Sequence, residues 1–178
     1  MGEVAEKLEP RIYVACLAAY NNGRLHGVWI DVEDDANTDT VRDAINAMLK
    51  ASPVPGAEEY AIHDHEGFGG VEIAEYAGID KVVEIAAFLR VYGGLGALVL
   101  EHFGDDLEAA RTALVEDYHG VFDSLADCIQ EVTEEATAIP ERLRYYIDWE
   151  AMGRDAELNG DIFTIKTAHD EVHVFWNR

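Results

Sequence analysis

Apolar positions in the first third of the chain predict a small sheet. Two β-rich runs, residues 11–19 and 24–31, flank Asn22-Gly23. An Asn-Gly pair between two such runs is a strong hairpin signal, because both residues tolerate positive φ. Residues 58–66 alternate well enough to form a third strand. We therefore predict three short antiparallel strands, the first two joined by a tight turn.

A helical period appears between the second and third strands. Five apolar residues recur at i, i+3, i+4, i+7 and i+8, which is one face of a helix: Val41, Ala44, Ile45, Met48 and Leu49. Thr40 with Asp43 is placed to form a capping box at the start. Pro53 and Pro55 end the pattern. The helix is expected to lie across the sheet.

Beyond the glycine-rich residues 67–70 the pattern becomes helical. Val82, Ile85, Ala86 and Leu89 form one apolar stripe, and Gly93-Gly94 is expected to break that helix. A short apolar helix over residues 95–103 and another from Asp105 follow. The middle of the chain is therefore predicted to be helical.

The last third again mixes helices and strands. A brief extended segment is predicted at residues 118–122, and Asp123 or Ser124 then caps a helix whose inward face is Leu125, Cys128, Ile129 and Val132. Pro140 is expected to start the next helix, with Leu143, Tyr146, Ile147 and Ala151 inward and Gly153 at its end. Residues 162–166 and 171–176 pair naturally as a final hairpin.

The predicted fold class is therefore α+β, in three modules. Residues 1–10 form a flexible lead-in, residues 11–77 an N-terminal module of a small antiparallel sheet with one helix, residues 78–119 a helical middle module, and residues 120–178 a C-terminal α+β module.

The charge balance narrows the range of partners. The chain of 178 residues has 36 acidic and 13 basic residues, a formal net charge of -23. Direct nucleic-acid binding is disfavoured because phosphate contacts need clusters of Lys and Arg. Positively charged partners fit such a surface: metal ions, basic peptides, or the DNA-binding groove of another protein.

Cell location follows from the absence of targeting patterns. The first ten residues have no apolar run. Residues 82–100, the most apolar segment, are interrupted by Glu84, Arg90 and three glycines, so a membrane span is not expected. Cys16 and Cys128 lie among apolar neighbours and are expected to be buried small hydrophobes. We expect a soluble, cytoplasmic protein.

The acidic residues are unevenly spread. Residues 101–136 contain eleven acids and one base, Arg111, whereas residues 137–178 have a net charge of only -3. The eleven acids are candidates for a functional surface: Glu101, Asp105, Asp106, Glu108, Glu116, Asp117, Asp123, Asp127, Glu131, Glu134 and Glu135. On the helix after Ser124, the last four are predicted to share the outward face, where like charges at i,i+4 cost stability. A solvated face and salt adaptation (only four lysines occur) are alternative explanations; no calcium-binding loop motif is present.

Catalytic patterns are scarce. Only two serines occur, neither in a nucleophile-elbow motif, and no phosphate-binding or dinucleotide-binding glycine motif and no HExxH is present. The sequence therefore favours a protein that is not an enzyme and has no cofactor. An alternative is a metal-dependent enzyme centred on His63, His65 and Glu66. Strand alternation disfavours it, because the two histidines would share one face and Asp64 and Glu66 the other, with Tyr60 and Ile62. An acidic adaptor that binds basic proteins is a further alternative.

Three segments resemble the ArdA antirestriction proteins of mobile elements: YVACLAAYNNGRLHGVWI, EEYAIHDHE and ERLRYYIDWEAMGRDAELNGDIF. The resemblance runs from about Arg11 to the C-terminus. Its most specific part is Tyr146-Ile147-Asp148 followed by Gly153-Arg154-Asp155, which is similar to the antirestriction motif of the family.

The resemblance implies an elongated, three-module homodimer that mimics double-stranded DNA. Such proteins occupy the DNA-binding groove of Type I restriction–modification enzymes and block restriction, often modification as well. The resemblance places the motif at or near the dimer contact, which implies a core or contact role for Tyr145, Tyr146, Ile147, Asp148, Trp149, Met152, Gly153, Arg154 and Asp155. Ordinary core packing of Tyr146 and Ile147 within one chain is the alternative. The glycine-rich residues 67–70 and 93–96 look looser than the family pattern.

Overall fold

The computed structural model describes residues 8–178, which divide into two compact units, one ending at Glu101 and the other covering His102–Arg178. Each unit contains one three-stranded antiparallel sheet with helices, so the predicted α+β class is confirmed. The division into three modules stays a prediction.

The first unit is built on strands β1 (Arg11–Cys16), β2 (Gly27–Asp31) and β3 (Tyr60–Glu66), in the order β2-β1-β3. The central strand β1 is the most buried, with Ile12, Val14 and Cys16 fully inaccessible. The predicted third strand and the antiparallel pairing of the first two are confirmed.

The connection between β1 and β2 differs from the predicted tight turn. Residues Leu17–Asn21 form a short helix, α1. The Asn22 side chain donates to the Ala18 carbonyl oxygen, and Gly23, at φ 71°, donates its N–H to the Tyr20 carbonyl. The Asn-Gly pair therefore ends a helical turn, a position that glycine with positive φ commonly takes.

Strand β3 contains an irregularity that overturns the predicted alternation. Val14 pairs with Ile62, whereas its neighbour Tyr13 pairs with Asp64, which leaves His63 as an extra residue in a β-bulge. Because Tyr13 and Val14 face opposite sides of the sheet, Ile62 and Asp64 also do. The prediction that Ile62 and Asp64 share a face was wrong.

Helix α2 (Thr38–Lys50) contacts β1 and β2 with its predicted apolar face. Val41, Ile45, Met48 and Leu49 are buried, and Ala44 is half-buried. The capping box differs from the prediction, because Asn37 rather than Thr40 caps the helix. The Asn37 side chain accepts from the Thr40 N–H, and the Thr40 hydroxyl accepts from the Asn37 N–H.

Helix α3 (Ile79–His102) is interrupted at Gly93, whose φ of 59° and ψ of -148° are not helical, so the predicted break is confirmed. By length and composition alone this helix could cross a membrane. However, 44% of its most apolar window is buried inside the protein, and core helices of soluble proteins have the same composition.

Residues 9 and 10, at the end of the predicted lead-in, contact the first sheet and the loop after it. Pro10 is buried, and its carbonyl oxygen accepts from the Val32 N–H at 2.9 Å. Gly67, at φ 74°, lies so close to this segment that a Cβ there would be 2.0 Å from the Glu9 carbonyl oxygen. The prediction for residues 1–7 lies outside the described residues.

The second unit contains helices α4 (Leu107–Thr112), α5 (Leu125–Ala136), α6 (Glu141–Arg144) and α7 (Trp149–Leu158), with strands β4 (Tyr118–Phe122), β5 (Ile162–Ala168) and β6 (Glu171–Trp176). A π-helical turn, Ala113–Asp117, joins α4 to β4. The strand order is β4-β6-β5, which confirms the predicted extended segment and the final hairpin.

One face of this second sheet forms the core under α5. Cys128, Ile162, Val172 and Val174 are its buried centre, with Leu125, Ile129 and Val132 of α5 packed against it. The predicted inward face of α5 is confirmed, as is the Ser124 cap. Cys16 and Cys128 are both buried, and burial, then Glu131, raises the pKa of the Cys128 thiol to about 11.

The predicted single helix from Pro140 to Gly153 was wrong. Two helices occupy this region, because Asp148 starts a new one by accepting a hydrogen bond from the Ala151 N–H. Gly153 lies inside α7 rather than at a helix end. A Cβ on Gly153 would be 3.0 Å from Leu125 Cγ, so the glycine permits α7 to approach α5 closely.

Candidate functional site

The eleven predicted acidic residues are mostly at the surface. Nine are exposed, and two, Asp117 and Glu134, are half-buried. Glu101 belongs to the first unit and the other ten to the second. We call these ten the acidic surface of the second unit.

Helix α5 carries the most regular part of this surface. Asp127, Glu131 and Glu135 are exposed and follow each other at four-residue steps, so they share one face. Four residues rise about 6 Å along a helix. Within residues 8–178, none of the three has a basic nitrogen within 4 Å.

The end of α5 is also electrostatically unfavourable. Glu134 and Glu135 lie in its last turn, which has no basic residue. Carboxylates near a helix C-terminus oppose the negative end of the helix dipole, typically at a cost of ~0.3–1 kcal/mol. These charges at the C-terminal end oppose the helix dipole, whereas Asp127 in the first turn and the Arg144 partner of Glu134 offset part of that cost.

Some members of the predicted set serve the fold. Asp106 caps α4 by accepting from the Glu108 and Ala109 N–H groups at 3.0 Å. Asp117 lies 3.3 Å from Arg178 Nε, and Glu134 lies 3.6 Å from Arg144 Nη1. These three carboxylates are partly neutralised or engaged; on α5, Asp127 accepts a hydrogen bond from the Ser124 hydroxyl, while Glu131 and Glu135 remain exposed.

The segment resembling the antirestriction motif has structural and exposed members. Asp148 caps α7, Gly153 packs against Leu125, and Ile147 and Trp149 are half-buried. Tyr145 and Tyr146 are 90% and 85% exposed. The alternative that Tyr146 belongs to the core of one chain is therefore wrong.

Further apolar side chains are exposed in the same segment. Met152 is 39% exposed, Leu143 47% and Leu158 83%, and Arg154 and Asp155 are exposed too. We call Leu143, Tyr145, Tyr146, Met152 and Leu158 the apolar set. Leu143 was predicted to face inward, and the exposure of Leu158 was not predicted. Both depend on where the helix breaks at Asp148, which the sequence pattern did not show. Exposed groups of this kind are typical of protein contacts.

The candidate metal ligands are held apart by separate partners. His63 Nε2 lies 3.8 Å from Glu75, His65 Nε2 lies 3.8 Å from Glu72, and Glu66 is bonded to Arg11 at 2.9 Å. In the part of the chain that the structure describes, no three His, Cys, Asp or Glu side chains are grouped closely enough to hold a metal ion.

Comparison with known families identifies the chain. The model of the antirestriction protein (ArdA) family matches residues 12–171. The chain belongs to the ArdA antirestriction family. No curated protein matches the sequence. The match covers the acidic surface, the apolar set and the first sheet except Arg11, and it confirms the resemblance found in the sequence.

Membership establishes the general role. ArdA proteins are antirestriction inhibitors, so the partner of this chain is a restriction–modification enzyme. The role belongs to a family of inhibitors rather than of enzymes.

Proposed function

We propose that this ArdA protein mimics double-stranded DNA and occupies the DNA-binding groove of Type I restriction–modification enzymes, which blocks restriction. The row of exposed carboxylates on α5, Asp127, Glu131 and Glu135, carries the proposal. Its step of about 6 Å is comparable with the distance between successive phosphates on a DNA strand.

The binding energy would come from the same source as that of DNA. A groove that binds DNA gains affinity from Lys and Arg contacts with phosphates and from release of counterions. A fixed row of carboxylates offers the groove a similar field. Because α5 is anchored to the sheet by Leu125, Cys128 and Ile129, its charges are held in place before binding, which lowers the ordering cost.

The apolar set supports a homodimer. Tyr145 and Tyr146 expose nearly their whole side chains, and aromatic residues are enriched in protein contacts because they bury much area at little entropic cost. We infer that a second copy of the chain covers them. The expected site of action is the cytoplasm.

Inhibition of a purified Type I enzyme tests the proposal. The wild-type protein should inhibit cleavage, compete with duplex DNA for the enzyme, and bind more weakly as salt rises. Asp127→Asn/Glu131→Gln/Glu135→Gln should raise the inhibitory concentration by roughly tenfold or more. Glu84→Gln, at an exposed acid on α3, removes one carboxylate outside this row and is the control for each single substitution; it should change inhibition by less than about twofold.

Two results would contradict the proposal. Binding that is unchanged between low and high salt would exclude an electrostatic mimic. Binding to the enzyme without displacement of duplex DNA would indicate an acidic adaptor instead.

A further inference from the structure

Two exposed tyrosines in the first unit are linked to the Glu75 carboxylate, Tyr20 through His63 and Tyr76 as the next residue in the chain. Tyr20, on α1, is 55% exposed, and Tyr76, in the loop before α3, is 71% exposed. The Tyr20 ring contacts the His63 imidazole edge-on, with ring centroids 4.9 Å apart, and His63 Nε2 lies 3.8 Å from the Glu75 carboxylate. Tyr76 follows Glu75 directly in the chain. Tyr20, His63 and Glu75 therefore form a continuous chain of contacts with Tyr76 next to it, and we call these four side chains the tyrosine group.

The backbone holds this group in place. Strand β3 is an edge strand, and its Ile62 N–H donates to the Glu75 carbonyl oxygen at 2.8 Å, so the loop lies along the strand. Val71 and Ile73 anchor the same loop in the core. The Leu17 N–H donates to the Glu59 carbonyl at 3.0 Å, which ties the start of α1 to the residue before β3. Exposed aromatic side chains on fixed backbone can bind a partner at low entropic cost.

The local charge indicates what kind of partner fits. Glu75 lies beside Tyr76, and Glu59 is also exposed nearby. Their negative field, Glu75 first, raises the pKa of the Tyr76 hydroxyl. A cation would be stabilised at this position by the carboxylate and by an aromatic face.

We propose that Tyr20, Glu75 and Tyr76 form a subsite for an arginine side chain on the DNA-binding face of the restriction enzyme. The inference rests on the proposed function and adds a contact that phosphate mimicry alone does not supply. The planar guanidinium stacks on an aromatic ring while it donates to a carboxylate, whereas the ammonium of lysine offers only a point charge. The bulge at His63 serves the subsite by directing the imidazole between Tyr20 and Glu75.

Inhibition assays with the full-length protein and a purified Type I enzyme test the subsite. Tyr20→Ala and Tyr76→Ala should each raise the inhibitory concentration roughly 3- to 30-fold, the range of a cation–π contact. Tyr76→Phe keeps the aromatic face and should stay near wild type, whereas Tyr76→Leu should behave like Tyr76→Ala. Glu75→Gln should weaken inhibition as well. Leu25→Ala, at a side chain 91% exposed in the same unit, and Glu84→Gln are the controls and should leave inhibition unchanged.

The outcomes separate the subsite from the proposed function. If the wild-type protein displaces duplex DNA but Tyr20→Ala/Tyr76→Ala, with an unchanged melting temperature, inhibits equally well, the subsite is wrong and DNA mimicry stands. If Tyr76→Leu matches Tyr76→Phe, the contact is apolar and the arginine assignment is wrong. If the wild-type protein neither inhibits nor displaces DNA, both proposals fail.

Discussion

The outer face of α5 and the segment that includes α6 and α7 belong to one compact unit, yet they expose opposite chemistry. Helix α5 exposes Asp127, Glu131 and Glu135 and contains no Lys or Arg. The neighbouring segment exposes Tyr145, Tyr146 and Leu158. Charge acts over a Debye length, about 8–10 Å near physiological salt, and is screened as salt rises. Apolar contact acts only at touching distance and does not weaken with salt. The difference fits the two contacts proposed above, with a basic enzyme groove for α5 and a second copy of the chain for the apolar set.

The largest effect is expected at the apolar set. Tyr145→Ser/Tyr146→Ser should convert the proposed homodimer to monomers, because buried tyrosines at contacts often contribute about 2 kcal/mol or more each. Sedimentation at several concentrations should show the dimer constant weakened by roughly a hundredfold or more. The wild-type dimer should persist at high salt, where enzyme binding is lost.

Leu25→Ser is the control for this pair, since Leu25 is 91% exposed in the first unit. It should leave the dimer intact. A double tyrosine variant that still sediments as a dimer would remove the apolar set from the contact.

The next largest effect is expected at the contact between α5 and α7, the helices that carry the two surfaces. Gly153 of α7 faces Leu125 of α5. A Cβ on Gly153 would be only 3.0 Å from Leu125 Cγ, which is too close for a larger side chain to fit without a shift. Gly153→Val should separate the two helices and lower the free energy of unfolding by about 1–3 kcal/mol. Thermal or urea unfolding measures it, and inhibition and dimerisation should both weaken.

Gly94→Val is the matched control, because a Cβ at Gly94 meets nothing within 4 Å. It should change stability by less than about 0.5 kcal/mol. Equal losses at both positions would mean that Gly153 is not needed for the α5–α7 approach.

A smaller effect is expected on α5, where one substitution should raise stability and weaken inhibition. Glu131→Lys creates i,i+4 pairs with Asp127 and Glu135 in place of repulsions, so the free energy of unfolding should rise by roughly 0.5–1 kcal/mol. Inhibition should weaken by roughly tenfold, because a positive charge now faces the basic groove. Unfolding and inhibition assays on one preparation measure both. A variant that is stabilised yet inhibits fully would mean that this face does not contact the enzyme.

Much of the fold follows from local sequence patterns. The inward face of α5, the final hairpin and the break at Gly93 were predicted because spacing and glycine act locally. Three features were not predicted: the capping residue Asn37, the helix α1 and the bulge at His63. In each case the local sequence is compatible with more than one hydrogen-bonding pattern.

The candidate site was less predictable for a different reason. Composition located the acidic surface, but not which carboxylates the fold engages, as Asp117 and Glu134 show through Arg178 and Arg144. Asp117 and Arg178 are far apart in sequence, and Glu134 and Arg144 lie on two different helices, so neither pairing follows from a local pattern. Tyr20 and Tyr76 were missed because an exposed tyrosine and a buried one look alike until the sheet is assembled.

The smallest expected effect is on the pH dependence of the stability of the second unit, and it concerns a buried histidine that belongs to neither surface. His173 is 8% exposed, with Tyr118 Oη 2.8 Å from its Nδ1 and Thr167 Oγ1 3.1 Å from its Nε2. Burial lowers the pKa of His173, and Glu171, 3.9 Å away, offsets this in part. Since the folded-state pKa lies below the unfolded one, the unfolded state binds more protons, and stability falls as pH drops through and below 6.5.

His173→Gln should flatten the fall of the melting temperature between about pH 7 and pH 5.5, while His169→Gln, at an exposed turn, should not. A His173→Gln variant with the wild-type slope would show that carboxylates elsewhere, rather than this buried imidazole, set the acid sensitivity of the unit that carries both surfaces.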